Sequence, residues 1–182
     1  VGLNPSRTGF YKILKQHKAK IKFVNLKKDN NELRGDIVVK SCKLKPIKTE
    51  AHMYPSTTDE YLLLFLIGSM QDGVSVFKGI SDLSNKESSR AHEMKKILNK
   101  IGIKSKLNKG LMKIYGKGEI KSKNKKIIIN SLGDHRIAMC SFLLAILTNT
   151  KMKINNFETV FTSSPSFLKI MKKLGANYEI QK

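Results

Sequence analysis

Tryptophan is absent from this 182-residue sequence, and cysteine and proline are scarce, with two and four residues. Cys42 and Cys140 lie far apart and fit no metal-ligand spacing, which argues against a zinc module and favours free thiols in a reducing compartment. Long apolar runs are also missing, because residues 61–67 and 142–147 fall well short of the roughly 20 residues that cross a membrane. No signal-peptide pattern is visible.

Acidic residues are few, with 14 against 35 basic residues, and the net charge is +21. Such a charge is typical of proteins that bind nucleic acid. Arginine, however, occurs only at Arg7, Arg34, Arg90 and Arg136, so 35 − 4 leaves 31 lysines, spread over every segment. Because surfaces that read bases rely on arginine forks, we interpret most lysines as solvated surface. A basic module that binds polyanions or nucleic acid stays as an alternative hypothesis.

The hydrophobic pattern predicts alternating helices and strands in a chain long enough to bury a core. Helices are predicted over residues 10–17, 59–70, 88–100, 133–147 and 166–174. Strands are predicted over residues 19–26, 36–40, 74–79, 103–107, 111–115, 127–130, 151–157 and 176–180, with a turn over residues 27–31.

An internal repeat organises these elements. Segments beginning at Arg7, Ser89 and Pro165 share a polar cap, a lysine-rich amphipathic helix and a strand, and their starts lie roughly 80 residues apart. Segments beginning at Thr58 and Asp134 share a cap, an apolar helix and a strand. Together they predict an α/β fold of repeated βαβαββ units, with apolar helices inside. The first copy lacks its apolar helix and the sequence lacks an initiator methionine, so we expect a fragment.

Charged groups concentrate at three predicted helix starts. They are Asp59 and Glu60 at the first, Lys86, Glu87 and Arg90 at the second, and Asp134, His135 and Arg136 at the third. A helix start attracts anions through its free N–H groups, and an arginine fork binds phosphate or carboxylate in a geometry that lysine does not reproduce. A site that gathers these starts would suit a small substrate with phosphate and carboxylate groups, with Asp59 and Glu87 as acid–base candidates.

Structural roles compete with these assignments. Ser88 or Ser89 can cap the second helix, and Asp59 and Glu60 can serve as charges that the helix dipole favours. For Glu60 we prefer that structural role. We interpret three further histidines as surface or satisfied core residues: His17, His52 and His92.

Five motifs occur in a distinctive order. They are Asn-Pro-Ser-Arg-Thr-Gly at 4–9, Asp-Glu-Tyr at 59–61, Lys-Glu-Ser-Ser-Arg at 86–90, Asp-His-Arg-Ile-Ala-Met at 134–139 and Thr-Ser-Ser-Pro at 162–165. With this spacing the chain resembles the EPSP synthase family (3-phosphoshikimate 1-carboxyvinyltransferases) over nearly all its length. The related UDP-N-acetylglucosamine enolpyruvyl transferases lack the third and fourth motifs together, so they rank far behind. The family usually has aspartate where Ser89 stands.

The resemblance implies an architecture. Family members have two domains, each of three βαβαββ units in an inside-out α/β barrel with buried helices and outer sheets, which close over the substrates like a clamp. Residues 1–182 resemble most of the carboxy-terminal domain, as a single domain, and the upstream domain is absent. The resemblance further implies a monomeric full enzyme in the cytoplasm, with no membrane or nucleic-acid partner.

The resemblance also implies the reaction and the residue roles. The enolpyruvyl group of phosphoenolpyruvate passes to the 5-hydroxyl of shikimate 3-phosphate and phosphate is released, without metal or organic cofactor. Asp59 would accept the hydroxyl proton and contact shikimate 3-phosphate. Lys86 would contact the same substrate, and Glu87 would shuttle a proton on the phosphoenolpyruvate methylene carbon.

The remaining implied roles concern anion binding and the lining of the site. Arg90 and Arg136 would bind the anionic groups of phosphoenolpyruvate, and His135 would line the site. Because half of the clamp is missing, we expect the isolated chain to be inactive. A family remnant without chemistry is a third hypothesis, beside the enzyme and the polyanion-binding module.

Overall fold

The computed structural model describes residues 1–118 and 126–181. The helices are α1 (Gly9–Gln16), α2 (Tyr61–Ser69), α3 (Arg90–Lys100), α4 (His135–Leu147), α5 (Thr159–Ser163) and α6 (Phe167–Lys173). The strands are β1 (Lys20–Asp29), β2 (Glu32–Lys40), β3 (Lys48–Thr49), β4 (Asp72–Phe77), β5 (Ser105–Asn108), β6 (Leu111–Lys117), β7 (Ile127–Asn130) and β8 (Met152–Asn155). Short 3₁₀ turns cover Pro5–Arg7, Ala51–Met53, Thr58–Glu60 and Ser81–Ser84. The single domain predicted over 1–182 includes residues 119–125 and 182, which lie outside the described part.

The central repeat is complete and has the predicted βαβαββ order, β3–α2–β4–α3–β5–β6. Its four strands form one sheet in the order β3-β4-β6-β5. Strand β3 runs parallel to β4, whereas β4 and β5 are antiparallel to β6. Among the described strands, the third strand of the unit, β5, therefore pairs only with the fourth strand, β6.

The flanking copies contain parts of the same unit. In the first, α1 leads into the antiparallel hairpin β1–β2. An antiparallel bridge between Gly2 and Arg34 corresponds to the pairing of β4 with β6 in the central unit. In the third, β7 and β8 pair in parallel across α4, as β3 and β4 do across α2. The predicted repeat is thus present in the described chain.

Helices α2 and α4 lie inside, as their apolar sequences predict. Tyr61 and Phe65 on α2 are completely buried, and Phe65 packs edge-on against Phe77 of β4 with ring centroids 4.9 Å apart. Helix α3 instead buries one face, which includes Met94 and Leu98. In the part of the chain that the structure describes, no helix is both long and apolar enough to span a bilayer.

Three local predictions are wrong. Residues 176–180 form no strand; the third strand of a unit pairs only with the fourth, and no fourth strand of this unit is among the described residues. The turn predicted over 27–31 is shorter, because β1 continues to Asp29 in register with β2. The Thr-Ser-Ser-Pro motif, expected to lead into the last helix, begins inside a separate short helix, because Thr162 and Ser163 end α5. Both cysteines are free, as predicted.

Candidate active site

The start of α4 is organised by a buried carboxylate, Asp134. Its side chain accepts hydrogen bonds from the backbone N–H groups of Arg136 (2.9 Å) and Ile137 (3.4 Å), so Asp134 is the N-cap. Such a cap satisfies donors that a helix start otherwise leaves without partners. Asp134 is 0% exposed, so the helix alone does not explain how its charge is balanced.

Arg90, the first residue of α3, supplies the opposite charge. Its Nε donates to Asp134 Oδ2 at 2.8 Å, and Ser88 Oγ donates to the same oxygen at 2.8 Å. Burial by itself would raise the pKa of the Asp134 carboxyl, but the bonds from Arg90 and Ser88 outweigh it and hold that pKa below its ordinary value. The starts of α3 and α4 are therefore joined by a buried ion pair.

The predicted caps of α3 take other partners. Ser88 bonds to Asp134, and Ser89 stands at the N-cap position without a capping hydrogen bond from its side chain. Ser89 Oγ instead bonds to Nδ1 of His92 at 2.9 Å. The prediction that one of these serines caps α3 through its side chain is thus wrong.

Glu87 lies at the solvent side of the same group. Arg90 Nη2 donates to Glu87 Oε2, while the Glu87 side chain stays 55% exposed. One guanidinium therefore bonds a buried carboxylate on one side and an accessible carboxylate on the other. Glu87 is positioned near cations and remains open to a reacting molecule, as an acid–base group must be.

Asp59, in the turn before α2, is bound by two arginines. Arg7 Nη1 lies 2.8 Å from Oδ2, and Arg136 Nη2 lies 3.2 Å from Oδ1. Arg136 Nη1 also donates to the Asp59 backbone carbonyl at 2.6 Å. Because Arg136 follows Asp134 closely on α4, these contacts bring the starts of α2, α3 and α4 together, as the sequence predicted.

Glu60 differs from Asp59 although it is the next residue. Burial raises the pKa of the Glu60 carboxyl, and the negative charge of Asp59 adds to this, against the opposing effects of Arg136 and Arg7. Glu60 stands at the N-cap position of α2, as its interpretation as a capping charge requires, but its side chain makes no capping hydrogen bond.

Lys86 points to a different partner. Its Nζ lies 2.6 Å from Asp82 Oδ2, and the Tyr54 hydroxyl donates to the same oxygen at 2.9 Å. The hydrogen bond from Lys86, followed by that from Tyr54, lowers the pKa of Asp82. The structure thus holds Lys86 beside the Ser81–Ser84 turn rather than in the Glu87–Arg90–Asp134 group. The Asp82–Lys86 spacing of four residues was the signal available in the sequence.

His135 opens α4 and is partly exposed. Its side chain makes no hydrogen bond within the described residues, so its assignment as a lining residue depends on its place beside Asp134 and Arg136. Over residues 1–118 and 126–181, no three or more His, Cys, Asp or Glu side chains are grouped to hold a metal ion.

Arg7 and Asp134 had no predicted site role, although both lie in motifs that the sequence contains. Arg7 reaches Asp59 across 52 positions of sequence, and Arg90 reaches Asp134 across 44. An aspartate directly before an apolar helix predicts a cap, but its second role as the partner of Arg90 depends on tertiary structure. The assembled arrangement offers two accessible carboxylates beside guanidinium groups, which suits proton transfer on an anionic substrate.

Comparison with known proteins identifies relatives. A sequence model of the family described as EPSP synthase (3-phosphoshikimate 1-carboxyvinyltransferase) matches residues 1–171. The 3-phosphoshikimate 1-carboxyvinyltransferase of Petrotoga mobilis is 34% identical over 174 residues, which cover 96% of this chain and 40% of the relative. That of Zymomonas mobilis is 33% identical over 182 residues, which cover 99% of this chain and 40% of the relative. The chain thus spans about 40% of the length of these curated relatives.

Two solved structures share the fold of this chain. EPSP synthase from Acinetobacter baumannii superimposes with a TM-score of 0.86 and 33% identity, covering 100% of this chain and 42% of that protein. The enolpyruvyl transferase NikO from Streptomyces tendae gives 0.66 at 15% identity over 94% of this chain and 36% of that protein, a likeness of fold alone. The predicted α/β fold of the enolpyruvyl transferase type is therefore confirmed. The chain belongs to the EPSP synthase (3-phosphoshikimate 1-carboxyvinyltransferase) family.

Proposed function

We propose that this chain forms one wall of the active site of a 3-phosphoshikimate 1-carboxyvinyltransferase, a transferase of the shikimate pathway of aromatic amino acid biosynthesis. The observation that carries the proposal is the convergence of three helix starts, where Asp59 and Glu87 are each bound to arginine and remain accessible. Family membership supports the reaction, because the matched relatives carry this name.

In the proposed reaction the two carboxylates have separate tasks. Asp59 takes the proton of the 5-hydroxyl of shikimate 3-phosphate while that oxygen bonds to C2 of phosphoenolpyruvate. Glu87 gives a proton to the methylene carbon in the same addition. In the second step Glu87 takes a proton back from that carbon, the C2–O bond to phosphate breaks, and the enol ether double bond forms. The proton held by Asp59 passes to the departing phosphate, which returns both carboxyl groups to their starting states. General acid–base catalysis of this kind typically contributes about 10²–10⁴-fold.

The cations have binding tasks in this proposal. Arg136 and Arg90 bind the anionic groups of phosphoenolpyruvate, and preorganised guanidinium groups stabilise the charge that develops during the reaction. Lys86 contacts shikimate 3-phosphate through an ammonium hydrogen that is not bonded to Asp82. His135 lines the wall. The Arg136 side chain is 30% exposed and that of Arg90 only 3%, so Arg136 is the more accessible of the two to this substrate.

The proposal extends to the whole protein. Residues 1–182 form a single domain that closes with an amino-terminal domain to complete the site, in a monomeric cytoplasmic enzyme. The coverage of about 40% of the relatives supports a second domain, and the free cysteines suit a reducing compartment. The substrates are shikimate 3-phosphate and phosphoenolpyruvate, and no metal ion or organic cofactor takes part.

The test uses the full-length protein, meaning this chain together with its amino-terminal domain. We expect phosphate release that requires both substrates, with the enolpyruvyl product identified by mass spectrometry. Asp59→Asn and Glu87→Gln should each lower kcat by roughly 10²–10⁴-fold. Asp29→Asn is a matched control, because Asp29 pairs with Arg34 on the exposed β1–β2 hairpin and should retain wild-type kcat. The isolated chain should be inactive.

Further outcomes separate the alternatives. Turnover with UDP-N-acetylglucosamine in place of shikimate 3-phosphate would assign the protein to the related transferases. A folded full-length protein without any turnover would favour a remnant of the family. DNA binding with a steep salt dependence that survives Arg90→Ala would favour the polyanion-binding module. The family match and the named relatives do not favour these alternatives.

A further inference from the structure

The turn at residues 4–9 has no task in the proposed reaction, yet it reaches the site. Arg7 Nη1 bonds Asp59 Oδ2 at 2.8 Å, while Arg136 takes the other carboxylate oxygen. The two arginines come from separate repeats, the first and the third, and Asp59 belongs to the second. Asp59 is therefore held on both oxygens by guanidinium groups from either side.

The backbone around Arg7 is fixed to the segment that carries Asp59. Asn4 Oδ1 accepts hydrogen bonds from the backbone N–H (3.0 Å) and hydroxyl (2.8 Å) of Ser6, which closes the turn locally. The Gly9 N–H donates to the Ser56 carbonyl at 3.2 Å, three residues before Asp59. One backbone hydrogen bond thus connects the turn that carries Arg7 to the segment that carries Asp59.

We propose that Arg7 is a positioning residue, which sets the orientation of the Asp59 carboxylate for proton abstraction. This inference rests on the proposed function, in which Asp59 is the base. With Oδ2 bound to Arg7 and Oδ1 to Arg136, rotation of the carboxylate about its Cβ–Cγ bond breaks both contacts. A misplacement of about 1 Å can cost 10²-fold in rate, so orientation has a measurable effect.

A second role for Arg7 must be distinguished, because its side chain is 72% exposed and could bind a substrate anion directly. A direct ligand of the substrate contributes to binding, so its loss raises KM. A residue that acts through Asp59 contributes to the transition state, so its loss lowers kcat and kcat/KM together. The two roles therefore give different kinetic signatures.

The test is a double-mutant cycle in the full-length protein with Arg7→Ala, Asp59→Asn and the double variant. We expect Arg7→Ala to lower kcat by about 10–100-fold with KM for both substrates within about 3-fold of wild type. In the Asp59→Asn background, removing Arg7 should have little further effect, because its target has lost the reacting group. Arg7→Lys should recover part of kcat, since an ammonium can still bond Oδ2.

Controls separate folding from chemistry. Arg34→Ala removes an exposed ion pair on the hairpin and should leave kcat and the thermal midpoint unchanged. An additive loss in the cycle, a rise in KM at constant kcat, or wild-type kcat in both Arg7 variants would each overturn the positioning role. If wild-type protein shows no turnover, the proposed function fails first. Turnover that depends on Asp59 but not on Arg7 overturns only this inference.

Discussion

Arg90 and Asp134 form an ion pair between the starts of α3 and α4, with Nε and Oδ2 2.8 Å apart and side-chain exposures of 3% and 0%. The pair links the start of α3, which Glu87 precedes by three residues, to the helix that presents Arg136. Buried pairs of this type add little net stability over apolar packing, but losing one partner leaves a buried charge uncompensated. The geometry of the candidate site thus depends on both members being present.

The first prediction concerns this pair. Asp134→Asn removes the charge but keeps a side-chain oxygen that can cap α4, since asparagine is as good an N-cap as aspartate. We expect a loss of about 3–5 kcal/mol in the free energy of unfolding at pH 7, the usual cost of an unpaired buried charge. Urea denaturation of the chain measures it.

The control for Asp134→Asn is Glu50→Gln, in the segment before α2. Glu50 pairs with Lys78 at 2.9 Å, and the two side chains are 55% and 48% exposed. Exposed pairs contribute up to about 1 kcal/mol, so this substitution should change stability by no more than that. A loss of similar size in both variants would show that Asp134 and Arg90 are not a specially costly pair to break.

The stability that the Arg90–Asp134 pair contributes depends on pH in the acid range. The pKa of Asp134 is lowered in the folded protein, so the folded state binds a proton less readily than the unfolded state. Its contribution to stability is present above the ordinary pKa of 3.8 and is lost as pH falls through the lower folded value. Asp134→Asn should lack this part of the acid-induced loss of stability below about pH 4.

The part of the site that the sequence predicted is the part that depends on local patterns. A polar cap followed by an apolar run is local information, so the starts of α2, α3 and α4 and their charges were correctly identified. The partners of those charges were not, because Arg90 and Asp134 are 44 positions apart. The proposed cap at Ser88 was wrong for the same reason, since its hydroxyl bonds across to Asp134.

Strand prediction was limited in the same way, because a local pattern does not identify the partner of a strand. The alternation in residues 103–107 and 111–115 predicted β5 and β6, which pair with each other across a short turn. Residues 176–180 show a comparable pattern but form no strand, because strand formation requires hydrogen bonds from a neighbour. The pattern in a single segment therefore predicts the capacity to form a strand, and the partner decides whether it forms.

The second prediction concerns the Glu60 carboxyl. Its pKa is raised above 4.5 by burial and by Asp59, so the folded state favours the protonated form. Stability from this group is present below the ordinary pKa and is lost as pH rises through the folded pKa. Glu60→Gln should therefore be more stable than wild type at pH 7 and differ less at pH 4, measured by thermal denaturation at both values.

Glu158→Gln is the matched control for this charge change, because Glu158 is exposed. In a chain with net charge +21, removing one exposed negative charge should not stabilise the protein at pH 7. A loss of stability at pH 7 in Glu60→Gln would contradict the prediction. It would show that attraction to Arg136 and Arg7 outweighs burial at Glu60.

The third prediction concerns Gly9, at the start of α1, where the turn carrying Arg7 meets the segment before α2. A methyl group at Gly9 would lie 2.2 Å from Ser56 Oγ and Thr57 Oγ1 and 2.6 Å from the Ser56 carbonyl oxygen. The two hydroxyls can rotate, but the carbonyl belongs to the backbone. Gly9→Ala should therefore separate the turn from the segment and cost about 1–3 kcal/mol, the usual range for overpacking.

Gly2→Ala is the control for the added methyl group, because a Cβ at Gly2 meets nothing within 4 Å. Thermal denaturation should place this variant close to wild type and Gly9→Ala well below it. Because the displaced turn carries Arg7 away from Asp59, full-length Gly9→Ala should also lose kcat where it remains folded. Equal melting points for the two variants would show that the contact between the turn and the segment before α2 yields to a methyl group without cost.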